Sequence, residues 1–336
     1  MLTLGIESSC DDTSLAIIED GVRVRASLVS SQIDVHRRFG GVVPEVASRK
    51  HLEAIHPLLQ QVLQQADLSL DEIGQIAVTT GPGLLGALLV GVSVGKALAW
   101  LEKKPLIPVN HLEAHLYAAF LAQNRAPEYP FLGLIVSGGH STLALVEGAR
   151  RIRTLGRTVD DAPGEFFDKI ARHLQLGYPG GPVVQKAGEG GDPSRYPLPR
   201  PMVGRGYDFS FSGLKTAVLQ RAKLEGDALV VRDLCAAMQQ AVAGSLTEKV
   251  ARALEETRVP RLVVAGGVAA NAVLRERMAA LATQQRVELL IPGLNLCTDN
   301  AAMIGAAGYW TAEWWQTDTL LVNAQADWEL GAPLSD

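Results

Sequence analysis

The chain has 336 residues, of which 47% are hydrophobic and 33 are glycine, and a formal net charge of −5. That is about two domains' length, and the Gly-rich apolar composition reads as an α/β enzyme rather than a disordered or fibrous chain. The acidic balance excludes a generally basic nucleic-acid binder but leaves room for a local basic patch. Three distant cysteines (Cys10, Cys235, Cys297) with no CxxC pair exclude a disulfide framework or zinc knuckle and point to a reducing cytoplasm.

The chain opens on a strand at 2–7 rather than on a charged-then-apolar leader. A polar turn, Ser8-Ser9-Cys10-Asp11-Asp12-Thr13, leads to a second strand at 14–19, so the two make a hairpin, and 22–30 supplies a third strand. Residues 43–66 place Leu52, Ile55, Leu58, Leu59, Val62 and Leu63 at helical spacing, with Pro44 and Pro57 as points of division. A short strand at 76–80 runs through Gly81-Pro82-Gly83 into a helix ending near Lys103. Its apolar stretch 84–100 is broken by Gly86, Gly91, Gly95 and Lys96, so it is read as a buried helix rather than a membrane span. A strand at 106–109 and a helix over 114–124 follow.

The pattern then recurs: strand 131–136, turn Ser137-Gly138-Gly139-His140, strand 141–146 and strand 152–158. Later, strand 262–265 enters Gly266-Gly267 and a helix at 269–283, followed by strand 287–291 and a helix at 299–315. Two copies of one unit predict two similar lobes with a cleft between them. The first lobe is expected over 1–110 plus about 310–336. The second is expected over 111–309, with an insertion at about 160–256 whose Gly/Pro-rich part, 177–206, reads as a binding loop.

The candidate chemistry centres on His111-Leu-Glu-Ala-His115. Positions i and i+4 share one helix face and can hold one metal ion, or they are two ordinary, hydrogen-bonded histidines. Glu113 points roughly 200° away, unlike the glutamate of a His-Glu-x-x-His metalloprotease. Asp299 is either the cap of the last helix or the carboxylate of a two-His, one-carboxylate site suited to Fe(II) or Zn(II).

The hairpin tips 8–13 and 137–141 offer N–H groups and hydroxyls to a phosphate chain. Gly266-Gly267 and Asn271 either let a ligand approach a helix N-terminus, or the glycine pair only permits strand–helix packing. The acids of 160–168 either stabilise a helix start or accept substrate hydroxyls. Phe209-Ser210-Phe211-Ser212-Gly213-Leu214-Lys215-Thr216 is a nucleic-acid or substrate contact, or core. Two basic groups stand out, Arg37, Arg38, Arg49 and Lys50, and Arg195, Arg200, Arg205, Lys215, Arg221 and Lys223. Each reads as solvated surface or as a phosphate-binding face.

Gly5-Ile6-Glu7-Ser8-Ser9-Cys10-Asp11, Gly40-Gly41-Val42-Val43-Pro44-Glu45, Gly81-Pro82-Gly83-Leu84 and the His111–His115 motif resemble the tRNA threonylcarbamoyladenosine-forming TsaD (Gcp/YgjD) family. So do Val136-Ser137-Gly138-Gly139-His140, Tyr178-Pro179-Gly180-Gly181-Pro182, 209–216, 265–271 and Thr298-Asp299-Asn300, in order along nearly the whole chain. The resemblance implies a two-lobed actin-like ATPase (ASKHA) fold, with duplicated βββαβαβα-type lobes and helical insertions. It implies transfer of threonylcarbamoyl from threonylcarbamoyl-AMP to N6 of adenosine 37 in tRNAs reading ANN codons, with release of AMP.

By the family pattern His111, His115 and Asp299 hold one Fe2+, with Zn2+ the alternative. Ile135, Val136, Ser137, Gly138, Gly139, Asp168, Gly181 and Asn271 line an ATP- or adenylate-binding cleft, and Asp11 and Asp12 are the catalytic candidates. The partners implied are tRNA, a paralogous TsaB-type subunit and a TsaE-type small ATPase. The family usually carries Glu at position 12 and a small residue at 163, where this chain has Asp12 and Pro163. The rival readings are a metalloprotease, a small-molecule kinase and a non-catalytic scaffold. Glu113 argues against the first, release of ADP rather than AMP would mark the second, and the intact His pair with Asp299 argues against the third.

Overall fold

The structure, a computed structural model, describes residues 1–315 and 319–334, so part of the 310–336 stretch assigned to the first lobe lies outside the described residues. In chain order the strands are β1 (Leu2–Glu7), β2 (Asp12–Glu19), β3 (Arg23–Ser31), β4 (Gln75–Gly81), β5 (Leu106–Asn110), β6 (Phe131–Val136), β7 (Ser141–Gly148), β8 (Arg151–Arg157), β9 (Arg261–Ala265) and β10 (Glu288–Leu290). The helices are α1 (Ile33–Arg37), α2 (Pro44–Ala66), α3 (Leu85–Glu102), α4 (His111–Leu121), α5 (Pro163–His173), α6 (Gly180–Ala187), α7 (Ser212–Glu225), α8 (Val231–Thr257), α9 (Ala272–Gln285), α10 (Leu294–Cys297) and α11 (Ala301–Thr311).

The chain divides into two compact units, one of Met1–Glu128, Gly148–Ile152 and Pro292–Asp336, the other of Tyr129–Glu147 and Arg153–Ile291. In the first, a five-stranded sheet runs in the order β3-β2-β1-β4-β5. The β1–β2 pair is antiparallel and the β1–β4 and β4–β5 pairs are parallel. Alternate side chains of each strand face opposite ways. Leu4, Ile6, Leu15 and Ile17 pack with Ile55, Leu58 and Val62 of α2, while Ala16, Ile18 and Ala77 pack with Ala114 of α4 and Ile304 of α11. Each fully buried Leu or Ile contributes roughly 1.5–3 kcal/mol. A close approach sets α11 on the sheet: a Cβ at Gly5 would lie 2.2 Å from the Ala301 carbonyl oxygen.

The second sheet, β10-β9-β6-β7-β8, repeats this arrangement strand for strand, with β6, β7, β8, β9 and β10 standing for β1, β2, β3, β4 and β5. Its central pairs keep the same senses, antiparallel for β6–β7 and parallel for β6–β9 and β9–β10. The insertion between β8 and β9 is mostly helical, holding α5 to α8.

Four expectations change. The boundary drawn after residue 110 gives way, because α4 and α11 pack on each other and on the first sheet and so belong to the first unit. Pro57 does not divide α2; its exposed ring leaves the lost hydrogen bond facing water, while Ile55, Leu58 and Leu59 hold the helix to the core. Leu52, placed in the apolar pattern of that helix, is instead 64% exposed. α3 is long and apolar enough by length and composition to cross a membrane. It buries Leu88, Val90 and Val92 but exposes Leu85, Leu89, Trp100 and Leu101, so the buried helix expected is buried on one side.

Candidate metal centre and ligand-facing glycines

α4 begins three residues earlier than its apolar pattern predicts because Asn110 caps it, its side-chain oxygen accepting the Leu112 and Glu113 N–H groups at 3.0 and 3.1 Å. Both histidines therefore lie on the helix, with ring centres 4.8 Å apart. Asp299 arrives from the turn between α10 and α11. Of the two roles open to it, the cap falls to Asn300, which accepts the Met303 N–H at 3.0 Å. Asp299 is left to face the histidines, with Oδ1 3.5 Å from His111 Nε2 and 3.3 Å from His115 Nε2. One ligand atom from each residue falls within 4.8 Å of the others.

The donor set fits a cation. His115 is fully buried, and neither of its ring nitrogens has a hydrogen-bond partner among the described residues, the 3.3 Å approach to Asp299 notwithstanding. Burial without a partner is costly, and a cation at the point of convergence would engage the Nε2 lone pair. Burial pushes the His115 pKa down, which keeps that lone pair free. Burial also opposes charge on His111, but Asp299 and Glu7 outweigh it and hold its pKa well above the ordinary histidine value. Asp299 is held well below the usual carboxylate range, with His111 and then His115 overcoming its burial.

Glu7 is the residue that sequence reasoning missed. It ends β1 fully buried, with Oε2 3.0 Å from His111 Nδ1, and it accepts the Thr79 hydroxyl at 2.7 Å and the Ser9 N–H at 2.5 Å. Burial raises its pKa, but His111 outweighs that and the net shift is downward. Such a carboxylate fixes the imidazole tautomer and aims Nε2 at the candidate centre. The available signal was an acid closing an otherwise apolar strand, since a buried carboxylate needs a partner.

Glu113 faces away from this centre, as the helix geometry predicts, and is held by Arg150. Asp11 and Asp12 lie in the first unit at the β1–β2 turn. Both carboxyls are pushed up, chiefly by burial, Asp12 to about 7, and Asp12 Oδ1 is buried without a hydrogen-bond partner among the described residues. Of the two departures from the family, Pro163 is the milder: it occupies the first position of α5, where its missing N–H costs nothing.

The proposed adenylate residues all belong to the second unit. Ile135 and Val136 are fully buried in β6, so only their backbone can face a ligand. The Ser137 N–H donates to the His140 carbonyl at 2.9 Å and closes the turn. A Cβ added at Gly138, Gly139, Gly181 or Gly267 would meet no protein atom within 4 Å. One at Gly266, at φ +93°, would lie 2.4 Å from the Val136 carbonyl oxygen.

The structure thus separates the glycine pair. Gly266 is required by packing, whereas Gly267 leaves open space. Asp168 accepts the Gly180 N–H at 2.6 Å, at the start of α6. Asn271 caps α9 by accepting the Leu274 N–H at 3.1 Å and donates to Gln239 at 2.9 Å. Asp160 accepts from Ser210 and Ser212 and from the Phe211 N–H, while Phe209 and Phe211 are core.

The basic segment is partly neutralised. Lys215 pairs with Asp161, Arg221 with Glu225 and Arg195 with Asp233. Arg200 and Arg205 are exposed and make no ion pair among the described residues.

A family model of tRNA N6-adenosine threonylcarbamoyltransferases (TsaD) matches residues 23–306. The relative of that name in Symbiobacterium thermophilum is 52% identical over 311 residues, covering 92% of this chain and 91% of its own. The one in Geobacter sulfurreducens is 49% identical over 333 residues, covering 98% and 97%. Among solved structures, the T. kodakarensis HypF matches with a TM-score of 0.64 at 12% identity, over 96% of this chain and 49% of that one. Component A of the Acidaminococcus fermentans (R)-2-hydroxyglutaryl-CoA dehydratase matches with a TM-score of 0.53 at 17% identity, over 93% and 97%. At such low identity these two speak to the fold, which is of the actin-like class. The family model and relatives about half identical over almost the full length leave one conclusion: the chain belongs to the tRNA N6-adenosine threonylcarbamoyltransferase family.

Proposed function

We propose that the chain transfers the threonylcarbamoyl group from threonylcarbamoyl-AMP to N6 of adenosine 37 in tRNAs reading ANN codons, forming N6-threonylcarbamoyladenosine and releasing AMP. The observation that carries the reading is the convergence of His111, His115 and Asp299 on one point in a chain of this family. These three would hold one Fe2+ or Zn2+. When bound, the ion supplies Lewis-acid stabilisation of charge on the donor's oxygens.

The rest of the chemistry is positioning. The exocyclic amine of adenine is a weak nucleophile, and the acyl donor is already activated by its AMP leaving group. The open backbone at Gly138, Gly139, Gly181 and Gly267 supports close approach of an adenylate. Asp12, with its pKa near 7, is suited to accept the proton that the amine loses. Arg200 and Arg205 are candidate phosphate contacts for tRNA. A paralogous TsaB-type subunit and a TsaE-type small ATPase are the proposed partners. Three cysteines without a disulfide support a cytoplasmic setting.

The test is incubation with threonylcarbamoyl-AMP and unmodified tRNA, with and without the two partners, followed by nucleoside mass spectrometry. Modified adenosine and stoichiometric AMP are expected. His111→Ala and His115→Ala should abolish both and lose bound metal while keeping the fold. ADP in place of AMP would mark a kinase instead.

A further inference from the structure

The face of α4 turned away from the histidines carries a charge that the proposed reaction does not use. Glu113 stands two residues from each histidine, and its side chain is only 2% exposed. Its carboxylate is gripped twice by one residue. The Arg150 backbone N–H donates to Oε1 at 3.2 Å, and Arg150 Nη1 donates to Oε2 at 3.4 Å. Arg150 sits in the β7–β8 turn at φ 57°, a left-handed conformation unusual for a residue with a side chain.

The guanidinium is fixed in turn. Its carbon lies 5.0 Å from the ring centre of Trp315 and 5.1 Å from that of Trp328, and Nη2 donates to the Ala332 carbonyl at 3.2 Å. Trp328 Nε1 donates to the same carbonyl at 3.0 Å. Asn110, the cap of α4, donates its amide N–H to the Trp328 carbonyl at 3.1 Å.

An apolar side chain at 113 would fill this space without the cost of burying a carboxylate. What a doubly held carboxylate adds is direction. A turn of α4 by ~10° about its axis would carry an imidazole nitrogen by roughly 1 Å, enough to spoil a metal site. We propose that Arg150, through Glu113, is a positioning residue that sets the rotation of α4 and so aims His111 Nε2 and His115 Nε2 at Asp299. This rests on the reading of those three residues as a metal centre. Arg150 touches neither metal nor substrate; it acts from the far side of the helix.

The test uses the full chain, stripped with chelator and titrated with Co2+, whose visible bands report coordination geometry. Affinity is read by competition with a metal-binding dye, and the folded fraction is measured in parallel by circular dichroism. In Arg150→Gln, Co2+ affinity per folded molecule should fall about 10- to 100-fold, with altered bands. Should that variant fail to fold, Glu113→Leu/Arg150→Met removes the buried charges together and is expected to fold with the same loss of affinity. Wild-type affinity and spectrum in either folded variant would overturn the positioning role. No Co2+ uptake by the wild-type chain would overturn the metal reading, and the positioning role with it.

Discussion

Asp12 shows how one carboxyl couples the site to stability. Burial, with Asp11, Asp299 and Glu7 nearby, raises its folded pKa to about 7, whereas an unfolded aspartate titrates near ~3.9. Between those two values the folded chain binds more protons than the unfolded chain, so this group's contribution to stability falls as pH rises through the window. Asp12→Asn removes that cost. In metal-free protein the variant should melt about 2–4 °C above wild type at pH 8, corresponding to ~1–2 kcal/mol after allowing for partial exposure. The difference should shrink steadily as pH falls toward 4 and vanish about one unit below the unfolded value, where wild-type Asp12 is protonated in both states. A pH-independent difference in thermal melts would show that the buried charge is not the cause.

The junction between β9 and the helix that follows gives a sharper contrast. Gly266 needs its positive φ and touches Val136, so Gly266→Val should destabilise by ~2–4 kcal/mol whatever the ligand. Gly267 faces open space, so Gly267→Val should melt within about 1 °C of wild type. Its affinity for a stable adenylate analogue should nonetheless drop at least ~10-fold by calorimetry. Normal affinity would assign that space to solvent.

Elements such as these were legible because their signals are local. The strand at 262–265 and its Gly-Gly exit, the hairpin at 2–19 and the i, i+4 histidines all declare themselves within a few residues. What stayed hidden depended on distant partners. Asp299 reads in sequence as either ligand or cap, and only the fold, by giving the cap to Asn300, leaves it facing the histidines. Leu52 fits the apolar period of α2, but nothing covers it. Arg150, 37 residues from Glu113, gives no sign of the pairing in sequence.

At the scale of the whole molecule, an acidic chain that acts on tRNA must concentrate its attraction locally. The acids paired with Lys215, Arg221 and Arg195 reduce the basic segment to a smaller exposed set. Arg200→Glu/Arg205→Glu should weaken tRNA binding about 10-fold at moderate salt and flatten its salt dependence by about one unit of slope per lost contact. Adenylate binding should not change. An unaltered salt slope would return both arginines to ordinary solvated surface.

The first unit is assembled from the two ends of the chain and the short central stretch Gly148–Ile152, with the two segments of the second unit between them in sequence. When residue 291 has been joined, every strand of both sheets has been synthesised but Asp299 and α11 have not. At that stage the nascent chain has the two histidines of the candidate metal centre without Asp299. The part of the sheet face that will receive Ala301 and Ile304 is still uncovered, beside the part that α4 packs on. The candidate third ligand and the helix that covers the sheet therefore arrive in the same short stretch. Synthesis order marks the interval, a few seconds at ordinary elongation rates of about 5–20 residues per second, when the half-covered sheet most needs shielding from aggregation.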